Sequence, residues 1–133
     1  MFRDRLIVDD SLVAEDAGYS IRARMPWYRA LPLSCLVEIT LAVDGATAPA
    51  AAITVETDGV ALPLGSTAEA TDRSWFVLDD LVIRVAGAHL TARADHDVDL
   101  TVGLRLPYLP INGEPLTMRE HLRKTMPAKE FQS

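Results

Sequence analysis

Residues 98–106 read VDLTVGLRL, and this stretch decides the fold. Apolar residues occupy every second position, and polar or small residues lie between them. Successive side chains of a β-strand point to opposite faces of a sheet, so the alternation predicts a strand with one buried and one solvated face. The same period occurs at residues 19–25 and 37–43, and the second of these stretches leads into Asp44-Gly45, a dipeptide typical of hairpin turns.

Five shorter apolar stretches are further candidate strands. Together with the alternating stretches they give about eight strands at roughly ten-residue spacing, which is typical of an antiparallel sandwich. No helical pattern lies between them to form the crossovers of a parallel sheet. The sequence therefore predicts an all-β fold, an antiparallel β-sandwich of about eight strands. The five shorter stretches are residues 6–13, 53–57, 60–64, 75–78 and 81–86.

The C-terminal segment changes period. Met118, Leu122 and Met126 are four residues apart, a spacing that puts them on one face of a helix. Thr117 and Glu120 have the spacing of a capping box, which is a signal for the start of a helix. We therefore predict a short C-terminal helix, which is too short to be stable alone and must pack on this domain or on another chain.

Length and charge describe one small acidic domain. The chain has 133 residues, enough for a single core. We place the β-sandwich domain at residues 1–116, and the short helix and basic tail, part of the same unit, at 117–133. The net charge is −6, but residues 117–133 carry four cations against two acids, a net +2, which leaves −8 on the rest. This acidic body argues against nucleic acid as a partner.

Targeting signals are scarce in the sequence. One cysteine cannot form an internal disulfide, and no apolar run approaches the roughly 20 residues of a membrane-spanning helix. The N-terminal residues lack the apolar core of a signal peptide. We therefore expect a cytoplasmic protein that binds neither a membrane nor nucleic acid.

Residues 95–99 (DHDVD) have the composition of a metal site but not its geometry. In a strand Asp97 and Asp99 share one face while His96 points away, so the three side chains do not converge on one ion. The segment also lies where a hairpin loop is expected. We interpret it as a solvated acidic turn and assign no metal ligand to this chain.

Three other reactive side chains have simple structural explanations. His89 lies next to a turn signal and has no acid beside it in the sequence, and His121 lies on the predicted helix among basic residues. Cys35 begins an apolar strand without a neighbouring base, which is typical of a buried small hydrophobe rather than a nucleophile. The sequence also lacks a phosphate-binding loop, close cysteine pairs of the zinc type and a nucleophile elbow. We therefore assign no catalytic residue to this chain.

Residues 24–34 (RMPWYRALPLS) form the strongest candidate for a binding segment. Prolines stiffen a loop and remove backbone donors from it. Trp, Tyr and Arg dominate binding hot spots because they bury a large area and keep a polar group. We single out Pro26, Trp27, Tyr28 and Arg29 on this basis. Packing of the two aromatic rings into the core is the alternative that the sequence leaves open.

A second segment, residues 107–113 (PYLPING), has a similar character. It is rich in proline, contains Tyr108 and leads into the basic C-terminal segment. Loops cluster at the two ends of a sandwich, so we hypothesise that the two segments share one rim.

The ordered set of these motifs resembles the β subunit of the bacterial C-glycoside deglycosidases, and the resemblance spans nearly the whole chain. It implies a small β-sandwich subunit that joins a larger α subunit in a hetero-oligomer. It also implies that the α subunit is a TIM barrel that binds a divalent metal, usually Mn²⁺, and carries the catalytic groups. The resemblance rests on residues 6–12 (LIVDDSL), residues 24–34, the strand that ends at Asp44-Gly45, Trp75-Phe76 and residues 104–108 (LRLPY).

The implied reaction is cleavage of the C–C bond between a 3-oxo-glucosyl unit and an aromatic aglycone such as a flavonoid. A glycosidic carbon cannot be protonated as a leaving oxygen can, so ordinary glycoside hydrolysis does not apply. The ketone at C3 acidifies the C2 proton for a base, a metal stabilises the resulting enolate as a Lewis acid, and the aryl carbon leaves by elimination. On this interpretation Pro26, Trp27, Tyr28, Arg29 and Tyr108 contact the partner near its active-site entrance.

Two other functions stay open at this point. A free-standing β-sandwich module that binds carbohydrate or glycoside would use Trp27 and Tyr28 as a stacking platform. A small independent hydrolase would depend on His89 or His96. Sugar binding by the lone chain favours the first, and activity that is lost on changing a histidine favours the second.

Overall fold

The computed structural model describes residues 6–26, 30–57, 59–76, 78–111 and 114–130, and of residues 107–111, 114 and 115 it describes the backbone. The predicted all-β class is confirmed, and no helix in the described ranges is long and apolar enough to cross a membrane. Three short 3₁₀ turns lie at Leu33–Cys35, Ala50–Ala52 and Leu64–Glu69. The strands are β1 (Val13–Glu15), β2 (Gly18–Ala23), β3 (Leu31–Pro32), β4 (Leu36–Val43), β5 (Ala46–Thr47), β6 (Ile53–Thr57), β7 (Val60–Pro63), β8 (Ser74–Trp75), β9 (Leu81–Ala86), β10 (Asp95–Ile111), β11 (Glu114–Pro127) and β12 (Lys129–Glu130).

The strands form two larger sheets and one short ladder. The six-stranded sheet has the order β12-β1-β2-β9-β6-β7, the four-stranded sheet has the order β11-β10-β4-β5, and β3 pairs with β8. All neighbours are antiparallel except β1 and β12. Ile21 and Ile83 of the larger sheet join Leu41 and Leu100 of the other in one buried cluster. One core therefore holds both sheets, while the face-to-face sandwich itself stays a prediction.

The stretch that predicted the fold lies in β10, at the centre of the four-stranded sheet. β4 pairs with it on one side and β11 on the other, which accounts for the burial of its apolar face. The turn between β4 and β5 has Asp44 at φ 53° and Gly45 at φ 82°. This left-handed conformation at both positions is what a two-residue hairpin with the twist of the strands requires. The apolar side chains of β10 with relative exposures of 1% or less are Val98, Leu100, Val102, Leu104 and Leu106.

The predicted C-terminal helix is wrong, because residues 114–127 form the strand β11, paired with β10. A spacing of four satisfies a period of two as well as a helical period, so Met118, Leu122 and Met126 also share one face of a strand. Side chains at even positions from 116 to 128 are half-buried or buried and those at odd positions are exposed. Pairing along β10 satisfies the backbone over many residues, whereas a two-turn helix is marginal alone. The domain boundary that we placed after residue 116 therefore falls inside a strand.

The N-terminal strand predicted at 6–13 is interrupted. The Arg24 N–H donates to the Leu6 carbonyl (2.8 Å), and the segment leaves β2 at Asp10, whose φ is 57°. The Ser11 hydroxyl bridges the gap, since it accepts from the Arg22 N–H (3.1 Å) and donates to the Val8 carbonyl (2.7 Å). A short polar side chain thus replaces the missing backbone pairing before the chain continues into β1.

The chain after β11 crosses to the other sheet. Ala128 is buried, and the Lys129 N–H donates to the Leu12 carbonyl (2.8 Å) as β12 begins to pair with β1. Lys124 forms an ion pair with Asp9, which ties β11 to the interruption near the N-terminus. The basic C-terminal residues up to Glu130 are therefore part of the fold, and their charge is partly neutralised within it.

Candidate functional site

The two predicted binding segments are attached at the same end of the four-stranded sheet. Leu36, two residues after the first segment, pairs with Leu104, three residues before the second. We call this end, with Pro26, Leu36 and Leu104, the hairpin end, because the hairpin between β10 and β11 extends from it. We call the opposite end of the sheet, with the Asp44-Gly45 turn, the turn end.

The individual residues of the predicted site differ in what the structure describes. Pro26 is buried in a bend after β2. Trp27, Tyr28 and Arg29 lie outside the described residues. The backbone of Tyr108 belongs to β10, at the irregularity of pairing between Leu106 and Pro110. Contact of these residues with a partner stays a prediction.

The chain after Arg29 is held firmly at the hairpin end. Leu31 pairs with Trp75 in the ladder between β3 and β8, and the Leu33 N–H donates to the Arg73 carbonyl (2.7 Å). Leu31 and Leu33 are both buried. The described parts of the first binding segment on both sides of 27–29 are therefore bonded to the rest of the fold.

A turn next to this ladder exposes two apolar side chains. Leu78 is 95% exposed and Phe76 is 45% exposed. The indole N–H of Trp75 donates to the Asp79 carbonyl (2.9 Å), and the Asp79 N–H donates to the Phe76 carbonyl (3.1 Å). Asp80 then forms an ion pair with Arg22 of β2 (3.1 Å). The hydrogen bonds hold the backbone of this turn, so its two apolar side chains project from an anchored segment.

The sequence predicts this turn at Asp79-Asp80, a pair of turn-forming residues directly after the apolar run 75–78. The turn begins earlier in the structure, because β8 ends at Trp75 and the Asp79 N–H closes on the Phe76 carbonyl. An apolar run next to a turn has two explanations, a buried strand or an exposed contact surface. Composition alone does not separate them.

A groove of about 610 Å³ also lies at the hairpin end. Pro32, Cys35, Leu64 and Thr67 line it together with Arg105. The Thr67 hydroxyl donates to the Leu36 carbonyl (3.2 Å), which fixes one wall to the start of β4.

Cys35 in that groove is buried, as its sequence neighbours predicted. It lies in a 3₁₀ turn before β4 rather than in the strand itself. Burial raises the pKa of its thiol more than the nearby charge of Arg105 lowers it. The thiol therefore stays protonated, which does not suit a nucleophile.

The acidic segment 95–99 is not a turn, so that interpretation is wrong. It begins β10, paired with β11 on one side and, from Val98, with β4 on the other. Its polar side chains alternate between the two faces as a strand requires. On the exposed face Asp97 accepts from Arg123 Nε (2.8 Å), and Asp99 lies 2.6 Å from the His121 ring. No three His, Cys, Asp or Glu side chains of the described ranges converge as a metal site would need.

His96 points to the other face and is buried near the turn end. Its Nδ1 lies 2.6 Å from Asp44 Oδ2, and its Nε2 lies 2.8 Å from the Thr91 carbonyl oxygen. The hydrogen bond to Asp44, and after it the one to Thr91, raises the pKa of this imidazole, and the same contact lowers the pKa of Asp44. Both nitrogens face acceptors, a geometry that suits the doubly protonated ring and leaves no free nitrogen to act as a base.

His89 lies at the rim of an apolar cavity of about 360 Å³ at the turn end, which Tyr19 and Val85 also line. Burial raises the pKa of Tyr19 to about 12, so its hydroxyl is neutral at physiological pH. Within the described ranges His89 hydrogen-bonds to no carboxylate, and so lacks the group that orients a catalytic histidine. The geometry gives no support to a hydrolase centred on either histidine.

Comparison with known proteins identifies relatives along the whole chain. The family described as C-glycoside deglycosidase beta subunit matches residues 2–108. A "3'-dehydrocarminate deglycosidase beta subunit" of Microbacterium sp is 45% identical over 131 residues, 98% of each chain. A "C-glycoside deglycosidase beta subunit" of Microbacterium trichothecenolyticum is 34% identical over 96% of this chain and 98% of its own length. A protein of that name from Arthrobacter globiformis is 32% identical over 95% of this chain and 96% of its own.

Proposed function

Because this chain belongs to the family of C-glycoside deglycosidase beta subunits, we propose that it is the non-catalytic subunit of a metal-dependent C-glycoside lyase. A beta subunit implies a partner subunit, and we propose a TIM-barrel α subunit that carries the catalytic groups. The complex cleaves the C–C bond between a 3-oxo-glucosyl unit and an aromatic aglycone by elimination. Nearly full-length similarity to beta subunits is the observation that carries this proposal.

The described residues of this chain do not fit a divalent metal. A hard divalent ion needs several carboxylate or imidazole ligands that converge at one point. Here His96, Asp97 and Asp99 are each bonded to other protein groups and point to different faces of β10. The proposal therefore assigns the metal, which we expect to be Mn²⁺, to the α subunit.

The hairpin end supports a contact with that partner. It carries the anchored turn with Phe76 and Leu78, and it leads into the segment with Trp27 and Tyr28. Large apolar side chains held in fixed positions form good interface anchors, because little conformational entropy is lost on binding. We propose that this end contacts the α subunit near the active-site entrance and helps to exclude water from the reaction.

The hairpin between β10 and β11 gives further support. β4 accompanies β10 only as far as Leu104, whereas β11 pairs with β10 to Leu106 and, after the irregularity at 107–109, again at Pro110 and Ile111. Residues 107–111 (PYLPI) thus lie in a ribbon of two described strands. An isolated two-stranded ribbon is marginally stable in water. A partner that covers it supplies the missing support, and Tyr108 lies in this ribbon.

Co-expression with the α subunit tests the proposed function. We expect a complex on size-exclusion chromatography that cleaves a 3-oxo C-glucoside, and no cleavage by the lone chain. The substrates to compare are 3'-dehydrocarminate, named for the 45% identical relative, and 3-oxo flavonoid C-glucosides. Cleavage by the purified lone chain, or a lone chain that binds glycosides and forms no complex, would contradict the proposal.

A further inference from the structure

β11 has a long open edge within the described part of the chain. Its one neighbour in the four-stranded sheet is β10, and its other edge meets no described strand. β11 spans 14 residues, whereas the outer strands β5 and β12 span 2 and β7 spans 4. A long open edge presents a row of unpaired N–H and C=O groups on which another chain can form a strand.

The inner face of β11 is incompletely covered. Leu116, Met118 and Leu122 pack against the core but are only half-buried, whereas the three leucines opposite them on β10 are buried. The difference arises because β10 has a described strand on each side and β11 has a described strand on one. A further strand beyond β11 would cover this apolar row as β11 itself covers β10.

The outer face of β11 carries the guanidinium groups of Arg119 and Arg123, with the imidazole of His121 between them. Arg119 Nε donates to Glu38 Oε1 of β4 (2.6 Å). This ion pair reaches across β10 at Gly103, which pairs with Arg119 on one side and with Glu38 on the other. The acids that pair with the other two, Asp99 and Asp97, lie on β10. The acids that pair with these side chains therefore all lie on the inner strands β4 and β10. A strand that pairs with the open edge of β11 lies next to the arginines rather than next to those acids.

This arrangement favours a different chain over a second copy. In a pair of β11 strands the cationic rows lie opposite one another, and like charges across a strand pair are destabilising. The complementary occupant is an extended segment that alternates acidic side chains on one face with apolar side chains on the other. We propose that such a segment of the α subunit pairs with β11 and extends the four-stranded sheet. This inference rests on the proposed function, since that function supplies the partner.

Glu120 and Lys124 make the edge selective. Both point to the inner face among the half-buried apolar side chains, and Lys124 is bonded to Asp9. Inward-pointing charges on an edge strand prevent indiscriminate pairing because they must be matched or left unpaired. The apolar face of the occupant is therefore interrupted by one cation, opposite Glu120.

A charge swap tests the occupant while it preserves the internal ion pair. Arg123→Glu reverses the charge at the edge and also breaks the pair with Asp97, whereas Asp97→Arg/Arg123→Glu restores the pair with its charges exchanged. We expect both variants to bind the α subunit about tenfold more weakly than the wild type, because an acidic segment meets a glutamate in each. Wild-type affinity in the double variant would overturn the proposal, since it would mean that Arg123 acts only through its ion pair with Asp97 and not on the α subunit.

Backbone hydrogen exchange gives the second readout. Consecutive residues of an antiparallel strand direct their N–H groups to opposite sides, so every second amide of residues 116–126 faces the open edge. We expect these amides to exchange quickly in the lone chain and to become protected at least tenfold in the complex. A complex in which they still exchange quickly overturns this inference and leaves the proposed function intact. Failure to form any complex overturns the proposed function, and this inference with it.

Discussion

The two ends of the molecule differ in how far their polar groups are hydrogen-bonded and their apolar side chains buried within the chain. At the turn end the Asp44 side chain is bound by the ring of His96 and by the Asp97 N–H. At the hairpin end Leu78 lies almost fully in solvent, and the ribbon beyond Leu104 has two described strands. The turn end is therefore stable within one chain, whereas the hairpin end has the features of a surface that a partner covers.

The largest expected effect is on the turn end, at Gly18. A Cβ atom built on this residue lies 1.8 Å from the Val85 carbonyl oxygen, a distance at which backbone must move. We expect Gly18→Ala to lower the free energy of unfolding by about 3 kcal/mol or more, measured by urea denaturation. Gly65→Ala is the matched control, because a Cβ there meets no atom within 4 Å. Equal stability of the two variants would show that the strands at the turn end are not packed so closely.

The next effect concerns the anchor of the apolar turn at the hairpin end. Trp75→Phe removes the indole N–H that donates to Asp79, and it leaves a small cavity in the core. We expect a loss of about 2 kcal/mol in the free energy of unfolding, with weaker binding of the α subunit because the turn is no longer held. Asp80→Asn serves as the control. It removes the exposed ion pair with Arg22 and should change stability by less than about 0.5 kcal/mol.

The pH dependence of stability reports on the turn end. A raised pKa of His96 in the fold means that its stabilisation is complete below the unfolded pKa and is lost as pH rises through the folded value. A lowered pKa of Asp44 means that its stabilisation is present above the unfolded pKa of about 3.8 and is lost as pH falls through the folded value. We therefore expect the stability difference between wild type and His96→Gln to be largest near pH 5 and to shrink towards pH 9.

His121 provides the comparison for that measurement. Its ring is exposed and contacts Asp99 on the outer face of the sheet, where solvent screens the interaction. At pH 5 His121→Gln should therefore lower the free energy of unfolding much less than His96→Gln does. A His96→Gln curve that runs parallel to the wild type would contradict the doubly bonded, charged imidazole.

The smallest effect on the lone chain is expected at Leu78. Its side chain is 95% exposed, so Leu78→Asp should change the free energy of unfolding by less than about 0.5 kcal/mol. The same change should weaken binding of the α subunit at least tenfold, because a charge would be buried at an apolar contact. Ala51→Asp adds the same charge at an exposed position in the 3₁₀ turn before β6, and it should leave binding unchanged.

Much of the fold follows from the sequence because burial on one face of a strand imposes a period of two. The alternation at 98–106 and the Asp44-Gly45 turn predicted β10 and the hairpin between β4 and β5. The helix prediction was wrong because a spacing of four fits both periods, and only the long-range pairing with β10 decides between them. The anchored turn was predicted to start only at Asp79, because its closure from Phe76 depends on the Trp75 indole, a contact that no local pattern reveals.

The measurement that tests the central claim most directly is hydrogen–deuterium exchange of this chain alone and in complex with the α subunit. Peptides that contain Phe76–Asp79 and residues 104–118 report on the hairpin end, and peptides that contain Asp44 and His89 report on the turn end. We predict that assembly slows exchange in the hairpin-end peptides and leaves the Asp44 and His89 peptides unchanged, while residues 119–126 of β11 report separately on the proposed edge pairing. Protection confined to the turn end, or equal at both ends, would contradict the division between a self-sufficient end and an end that the partner covers.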